Sequence, residues 1–265
     1  MLTLEAPPVM GACSALSAAL LEPPARARVL AALPRVLYLQ VGPRHVDLLP
    51  IEASDGIGLP TAMRLPLPAG EIRWGLREGD EVAIRGGVVT LPGWTIRCGR
   101  RWRPAPVTGS ALACATEHAN QLWSVLPPGP PLTLGPGLLG AGEGLTPSGD
   151  DHLCGALLAW RAAGREAERA GLWAKLRTRL RGTTSLSASL LSAAAAGYAV
   201  PAVTAWIDAV AAGDLALARR HTPAVLALGH SSGQDLIRGA LTAFTTPPRE
   251  LGSADPAGAA VKEDR

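Results

Sequence analysis

Two segments of the sequence carry the same arrangement of hydroxyl, glycine and carboxylate residues. The first copy, residues 148–160, reads Ser-Gly-Asp-Asp-His-Leu-Cys-Gly-Ala-Leu-Leu-Ala-Trp, and the second copy, residues 232–244, reads Ser-Gly-Gln-Asp-Leu-Ile-Arg-Gly-Ala-Leu-Thr-Ala-Phe. The copies lie 84 positions apart and share seven of their thirteen residues. Each places an aspartate, Asp151 or Asp235, three residues after its serine. Such a hydroxyl and carboxylate beside the unpaired amides of a helix start can bind and orient a small charged molecule.

Each copy predicts the first turn of a helix. A serine followed three residues later by an acid is a common start signal, and the amides and dipole of such an end attract anions. We therefore predict that Ser148-Gly149 and Ser232-Gly233 contribute amides and hydroxyls to substrate binding. The alternative is that Asp151 and Asp235 only complete capping boxes.

A glycine recurs inside both predicted helices. Gly155 and Gly239 occupy the same position in the two copies, although glycine inside a helix costs about 1 kcal/mol relative to alanine. An alanine follows each glycine four residues later, so each helix has a row of small residues. We expect the two helices to cross closely here and to bring their N-terminal loops into one cleft. The alternative is that each glycine packs against some other helix.

A long segment rich in proline and glycine, residues 127–149, precedes the first copy. Loops of this length inside a compact domain are usually functional or disordered, and its apolar residues argue against disorder. Residues 144–149 have the glycine spacing of a phosphate-binding P-loop, but two aspartates follow where that motif requires a lysine and a hydroxyl. The pattern therefore does not predict a P-loop. Gly144 and Thr146 are candidates for substrate binding.

Three aspartates and a histidine are the candidate catalytic residues. Asp150, Asp151 and Asp235 could bind Mg²⁺, which takes one or two carboxylates together with substrate oxygens, or they could orient an amide or amine of the substrate. The sequence leaves both roles open. His230 directly precedes the second copy, where it could donate to an anion or act as a general acid or base. Ser231 is a candidate hydroxyl donor beside it.

Composition and cysteine spacing limit the class of protein. Charged residues make up 18% of the chain and the net charge is +3, so we expect no nucleic-acid partner. The cysteines, Cys13, Cys98, Cys114 and Cys154, have no metal-binding or redox spacing, and residues 1–25 do not resemble a secretory leader. We therefore expect reduced thiols and a cytoplasmic protein.

Residues 1–106 are predicted to form a small antiparallel β domain, barrel-like or sandwich-like. Its strand-like runs are residues 36–41, 46–51, 81–85, 88–91 and 94–98. Gly86-Gly87, between two of these runs, predicts a tight hairpin. Residues 14–21 and 25–32 show a helical pattern instead.

Residues 107–245 are predicted to form a helical domain, because apolar residues recur there at helical spacing. The expected helices lie around residues 112–126, 153–164, 167–181, 185–198, 201–212, 214–228 and 235–244. The stretch at 186–207 is uncharged, but Gly197 and Pro201 interrupt it, which favours two buried helices over a membrane span. The fold class is therefore α+β, and residues 246–265 are expected to be a flexible tail.

The motifs around the two copies are longer than the copies themselves. Residues 142–151 read Gly-Glu-Gly-Leu-Thr-Pro-Ser-Gly-Asp-Asp, and residues 229–235 read Gly-His-Ser-Ser-Gly-Gln-Asp. Together they resemble the AllH-like family, and the likeness extends over nearly the whole chain. The resemblance implies a subunit of an oxamate carbamoyltransferase in allantoin and purine breakdown, which transfers a carbamoyl group between oxalurate and phosphate to give oxamate and carbamoyl phosphate. It also implies partner subunits of the FdrA type, and we expect an oligomer.

The chain lacks the Ser-Thr-Arg-Thr phosphate motif of the familiar aspartate and ornithine carbamoyltransferases, so their residue roles do not transfer. On the residues of this chain, the hypothesis is that the amides and hydroxyls of both copies bind a small anion. Asp151 and Asp235 would orient the carbamoyl nitrogen or hold Mg²⁺. Two other classes stay open: a Mg²⁺-dependent phosphoryl-transfer enzyme, and a non-catalytic subunit that completes the site of a partner.

Overall fold

The computed structural model describes residues 8–109, 115–126 and 132–247. The N-terminal part of this range is a closed barrel, in which the strands follow the order β1-β5-β4-β3-β2-β6-β7-β8. The strands are β1 (Val9–Ser14), β2 (Ala25–Leu33), β3 (Val36–Gln40), β4 (Leu48–Glu52), β5 (Met63–Arg64), β6 (Glu81–Arg85), β7 (Val88–Leu91) and β8 (Trp94–Trp102). The expected β domain is thus a barrel.

The hairpin of β6 and β7 shows how local sequence forms part of this barrel. In β6, Val82 and Ile84 are buried while the residues between them are exposed, which is the alternation of a strand with one face on the core. Gly86 and Gly87 have φ values of 55° and 76°. Glycine adopts such positive values without strain, and a tight hairpin turn requires them. The predicted hairpin is confirmed.

The helical expectation for residues 25–32 is wrong, because they form β2. Arg26 and Arg28 are exposed while Ala27 and Val29 are buried, so the segment alternates as a strand does. β2 pairs with β3 on one edge and with β6 on the other. Backbone pairing on both edges outweighs the helix propensity of alanine and arginine.

Two further expectations for the β domain are corrected. Residues 14–21 contain only the short 3-10 helix Ala18–Leu21, and the unpredicted strand β1 comes before it. The barrel is also not purely antiparallel, because β1 pairs with β8 and β4 pairs with β5 in parallel. Parallel pairing joins segments that are distant in sequence, and no local pattern reports it.

The C-terminal part is helical, as expected. Its helices are α1 (Ala115–Leu122), α2 (Ser148–Ala162), α3 (Glu166–Leu176), α4 (Ser185–Ala195), α5 (Pro201–Ala212), α6 (Leu215–Leu226) and α7 (Ser232–Thr245). The uncharged stretch at 186–207 forms α4 and α5 around a turn. Among the described helices, none combines the length and the apolarity that crossing a membrane requires. Residues 248–265, most of the expected tail, lie outside the described residues.

Strand β3 joins the two parts of the fold, because it is buried on both faces. Leu37 and Leu39 belong to the core inside the barrel. Tyr38, between them, belongs to a second core that the helices form against the outside of the barrel, together with Leu48 and Leu59. Helix α2 runs through this second core, and nearly all of its residues are buried. The barrel therefore supplies one wall of whatever site the helices form.

Cys13 in β1 and Cys98 in β8 form a disulfide, with their Cα atoms 5.8 Å apart. The expectation of reduced thiols is therefore wrong for this pair. The parallel pairing of β1 with β8 places the two cysteines side by side, within the usual Cα separation of a disulfide. Cys154 is free and buried, and Cys114 lies outside the described residues.

Candidate functional site

Helices α2 and α7 cross in close contact at the two repeated glycines. A Cβ atom added at Gly155 would lie 2.9 Å from the amide nitrogen of Ala240, and one added at Gly239 would lie 2.6 Å from the carbonyl carbon of His152. Neither position has room for a side chain. The close crossing that the sequence predicts is confirmed, and the reason for both glycines is the approach of the partner helix.

The contacts at this crossing are reciprocal. Gly155 lies against the carbonyl of Leu236, and Gly239 lies against the carbonyl of His152. His152 and Leu236 hold the same position in the two copies, as the two glycines do. This exchange of roles is what a two-fold relation between equivalent surfaces produces. The two copies are therefore related by a local two-fold axis at the crossing.

Asp151 reaches across this crossing to the second copy. Burial raises the pKa of its carboxyl to about 7; the nearby charges of Asp235 and Asp150 also raise it, while the hydroxyls of Ser232 and Thr146 lower it. The Thr146 and Ser232 hydroxyl oxygens are 2.9 Å apart. Oδ2 of Asp151 is buried and has no hydrogen-bond partner among the described residues. Asp151 thus has one buried oxygen without a hydrogen-bond partner, and its pKa lies near neutral pH.

Asp151, Thr146 and Ser232 line a cavity of about 280 Å³ between the helices and the barrel. Strand β2 and the segment after β4 contribute Leu33, Ile57 and Leu59, while α4 contributes Leu186 and Leu190. Apart from Asp151 and a few hydroxyl and thiol groups, the lining is apolar. Within the described part of the chain, no arginine, lysine or histidine lines the cavity.

Asp150, next to Asp151 in sequence, has a different environment. Its Oδ1 accepts a hydrogen bond of 2.8 Å from the amide of Gly140, and its Oδ2 accepts one from the hydroxyl of Thr183. The side chain is almost fully buried. Asp150 therefore ties the proline- and glycine-rich loop to the segment before α4. Thr184 caps α4 by accepting from the amide of Ser187.

The amides of Gly149 and Gly233 are already used within the fold. Gly149 donates to the carbonyl of Ala141 at 2.8 Å, and Gly233 donates to the carbonyl of Leu228 at 3.1 Å. An anion at these helix starts would have to compete with both carbonyls. The capping-box alternative is not seen either, because neither helix start has a capping hydrogen bond from a side chain. The carboxyl of Asp151 instead contacts the opposite copy.

Both helix starts lie in a segment of the chain that matches a known family. Residues 138–244 match the family of the oxamate carbamoyltransferase subunit AllH. The AllH segment begins in the loop before α2 and ends at the last residue of the second copy, so it contains both helix starts. The resemblance is confirmed over this segment, and the barrel lies outside the match. No curated protein and no solved structure matches the chain.

Ser232, at the second helix start of the AllH segment, lines the cavity, but the carboxylate of that helix start, Asp235, does not. Asp235 Oδ1 lies 3.6 Å from Nε2 of His152, and the Nδ1 of that histidine donates to the carbonyl of Ser148. Burial lowers the pKa of His152. His230 and Ser231 are exposed, and neither they nor Asp235 line the cavity. The sequence therefore places four candidate catalytic residues near one cleft, but only Asp151 reaches it.

The three aspartates proposed as Mg²⁺ ligands have separate partners. Asp150 bonds to the loop, Asp151 bonds to two hydroxyls, and Asp235 faces His152. Among the described residues, no group of three or more His, Cys, Asp or Glu side chains is arranged to hold a metal ion. The AllH segment therefore does not fit a shared magnesium site built from these carboxylates.

Sequence reasoning missed the barrel side of the cavity. Tyr38, Ile57 and Leu59 line it, but they lie well before the AllH segment, which begins at residue 138, and belong to ordinary apolar runs. Burial together with the charge of Glu52 raises the pKa of Tyr38 to about 12, so its hydroxyl stays a donor at neutral pH. No signal in the sequence links these residues to the two copies.

Proposed function

We propose that the chain is a subunit of a multi-subunit carbamoyltransferase of the oxamate type. Its Asp151 cavity would hold the carbamoyl end of the substrate. The observation that carries the proposal is Asp151 itself, a buried carboxyl with a pKa of about 7 and a free oxygen, bonded to Thr146 and Ser232 within the AllH segment. Perturbed carboxyls in cavities are common at catalytic sites.

A carbamoyl group suits this environment because it is uncharged and has both donors and an acceptor. Its amino group can donate to Oδ2 of Asp151, the atom without a partner. In the direction from oxalurate, a phosphate oxygen attacks the carbamoyl carbon, the C–N bond breaks, and the departing oxamate nitrogen takes up one proton. Near pH 7 a fraction of Asp151 is protonated and can supply that proton as a general acid.

The charged end of the substrate requires groups that this cavity lacks. Burying a phosphate or carboxylate without a cation or hydrogen-bond donors is costly, and the described lining contains no cationic side chain. The anionic end would therefore lie at the cavity mouth. There, Leu33, Ile57 and Leu145 are 42%, 48% and 42% exposed, and exposed apolar groups clustered at one place mark interaction sites. A partner subunit of the FdrA type, docked on this rim, would supply the cations in the assembled oligomer.

The test is reconstitution with the partner subunits. Carbamoyl phosphate and oxamate are supplied to the chain alone, to the partners alone and to the mixture, and oxalurate and phosphate are measured. We expect turnover only in the mixture, and we expect Asp151→Asn to lower it by about 100-fold or more, the scale of a lost general acid. Asp208→Asn, at a half-buried carboxylate that accepts from the amide of Thr108, is the control and should retain turnover.

Two outcomes contradict the proposal in different ways. A mixture that assembles but transfers no carbamoyl group would rule out the reaction. A mixture in which Asp151→Asn is as active as the wild type would show that this chain completes the site of a partner without doing chemistry. Repeating the assay with a chelator tests the need for Mg²⁺, and we expect turnover to persist because the aspartates have separate partners.

A further inference from the structure

A second cavity, of about 510 Å³, lies on the other side of the segment that walls the Asp151 cavity. Ile57 lines both cavities. The second cavity differs in character, because two arginines, Arg64 and Arg100, line it together with Trp102. All of these residues precede the AllH segment, and neither the family match nor the proposed reaction assigns them a role.

The guanidinium of Arg64 is held in place by an aromatic ring. Burial lowers its pKa, and the charge of the Glu52 carboxylate raises it. The guanidinium stacks on the ring of Trp102, with its central carbon 3.7 Å from the ring centroid. The ring is fixed in turn, because its Nε1 donates to the carbonyl of Ala62 at 3.2 Å. Nε of Arg64 is buried without a hydrogen-bond partner, and in the described part of the chain Arg64 forms no ion pair. A guanidinium stacked in this way is oriented in advance for an oxyanion.

Among the described residues that line this cavity, Glu52 is the one carboxylate. Its Oε2 accepts the amide of Leu59 at 2.9 Å. Burial raises the pKa of the carboxyl, and the backbone amides of the segment 57–59 together with Arg64 lower it. The side chain is 1% exposed. Glu52 therefore holds the segment between the two cavities, and its single negative charge offsets only part of the charge of Arg64 and Arg100.

Two features add to the positive potential of this cavity. Arg100 contributes a second guanidinium to the lining. Helix α5 also begins there, since Pro201, its first residue, lines the cavity and no side chain caps the helix start. The dipole of a helix places partial positive charge at its N-terminus. The fixed charges around the cavity thus favour an anion.

We propose that this cavity is a binding site for a small oxyanion, a carboxylate or a phosphate, and that Arg64 is its principal ligand. The guanidinium would donate two parallel hydrogen bonds, which is the usual way arginine binds either group. This site goes beyond the proposed function, because it requires no carbamoyl transfer and both of its arginines lie outside the AllH segment. The cavity of Arg64 and Arg100 would then lie beside the Asp151 cavity, where no described lining residue is cationic.

The test is direct binding of inorganic phosphate and of oxalate to the full chain, measured by calorimetry. We expect at least one of the two anions to bind, and we expect Arg64→Gln to raise its dissociation constant by about tenfold or more, the scale of a lost charge-assisted bond. Arg64→Lys keeps the charge but loses the planar fork, and it should weaken binding by a smaller factor. Arg26→Gln, at an exposed arginine of the barrel that pairs with Glu81, is the matched control and should bind as the wild type does.

The outcomes separate the anion sources and separate this site from the carbamoyl site. Binding of phosphate alone or of oxalate alone identifies the class of ligand. Equal affinity in wild type and Arg64→Gln, or no binding of either anion at millimolar concentration, would overturn the proposal. Asp151→Asn should leave the affinity unchanged, so a failure of the carbamoyltransferase assay does not affect this test.

Discussion

The two copies share a backbone arrangement but present their carboxyls to different surroundings. Asp151 faces an apolar cavity and the hydroxyls of the opposite copy, whereas Asp235 faces His152. Because the copies are related by a local two-fold axis, the residue of the second copy that corresponds to His152 is Leu236, and Leu236 lines the cavity of Asp151. The difference between His152 and Leu236 at equivalent positions therefore gives Asp235 an imidazole neighbour and leaves Asp151 in an apolar cavity.

The shared and the divergent positions of the two copies have different roles. The residues that the copies share, chiefly the glycines, are those that let the helices approach each other. Six positions differ, and three of them, the third, fifth and seventh, lie around the carboxyls and decide whether each is anchored, paired or left available. The common positions thus explain packing, and the divergent positions locate the candidate site at Asp151.

The largest effect is expected from filling the crossing. Gly155→Ala or Gly239→Ala should each destabilise the protein by about 3 kcal/mol, because the new methyl group would overlap backbone atoms of the partner helix. Backbone cannot move aside as a flexible side chain can. Thermal or chemical unfolding measures the change, and similar losses at both positions would confirm that the two-fold relation governs packing.

The control for this prediction is a third glycine inside a helix. Gly171 lies in α3, and no atom lies within 4 Å of the Cβ position. Gly171→Ala should therefore stabilise the protein, by about 0.5–1 kcal/mol, through the helix preference of alanine. If Gly155→Ala were also stabilising, the close crossing of α2 and α7 would be wrong.

The same contrast explains how much of the fold the sequence predicts. Helical spacing and the Gly86-Gly87 turn are local, and both led to correct elements. β2 was missed although Arg26 and Arg28 alternate with Ala27 and Val29, because alanine and arginine favour helices and only pairing on both edges makes the segment a strand. Closure of the barrel, and the disulfide that accompanies it, depend on contacts between distant segments.

The sequence predicts the candidate site only for residues in or next to the two copies. The repeat and its glycines predict that Asp151, Ser232 and Thr146 lie near one cleft. The apolar character of the cavity was not foreseen, because the barrel supplies Leu59 and its neighbours from the other end of the chain. The use of amides such as that of Gly149 by loop carbonyls was also hidden, since no sequence pattern shows which donors a loop will occupy.

The third position of the copies gives the next largest effect. Asp150 accepts hydrogen bonds from both Gly140 and Thr183. Its counterpart Gln234 is half-buried, and its amide oxygen can accept from Arg238 at 3.2 Å. Asp150→Ala should cost about 2–3 kcal/mol, because two donors lose a charged acceptor. Gln234→Ala should stay within about 0.5 kcal/mol of the wild type. Equal losses in unfolding experiments would show that the copies anchor their loops alike.

The smallest effect tests the environment of Asp151 through pH. Burial raises the pKa of Asp151 from 3.8 to about 7, so the unfolded chain ionises this group at lower pH than the folded protein does. The wild type therefore loses stability as pH rises from about 4 to about 7, and above that range it carries the full cost of a buried charge. Asp151→Asn removes this cost. Its midpoint of thermal unfolding, relative to the wild type, should rise by about 5 °C between pH 5 and pH 8.

The sign of this change distinguishes the two copies more sharply than its size. The stability of Asp151→Asn relative to the wild type should rise with pH, because no cationic side chain lines the described cavity beside the carboxyl. Asp235, in contrast, lies 3.6 Å from the imidazole of His152. Asp208→Asn, measured at both pH values, shows what the same substitution does at a half-buried acid outside the cavity. A relative midpoint for Asp151→Asn that falls with pH would mean that a positive group compensates Asp151 in the folded protein. The cavity could then bind an anion directly, and the division of the substrate between this subunit and its partner would no longer be required.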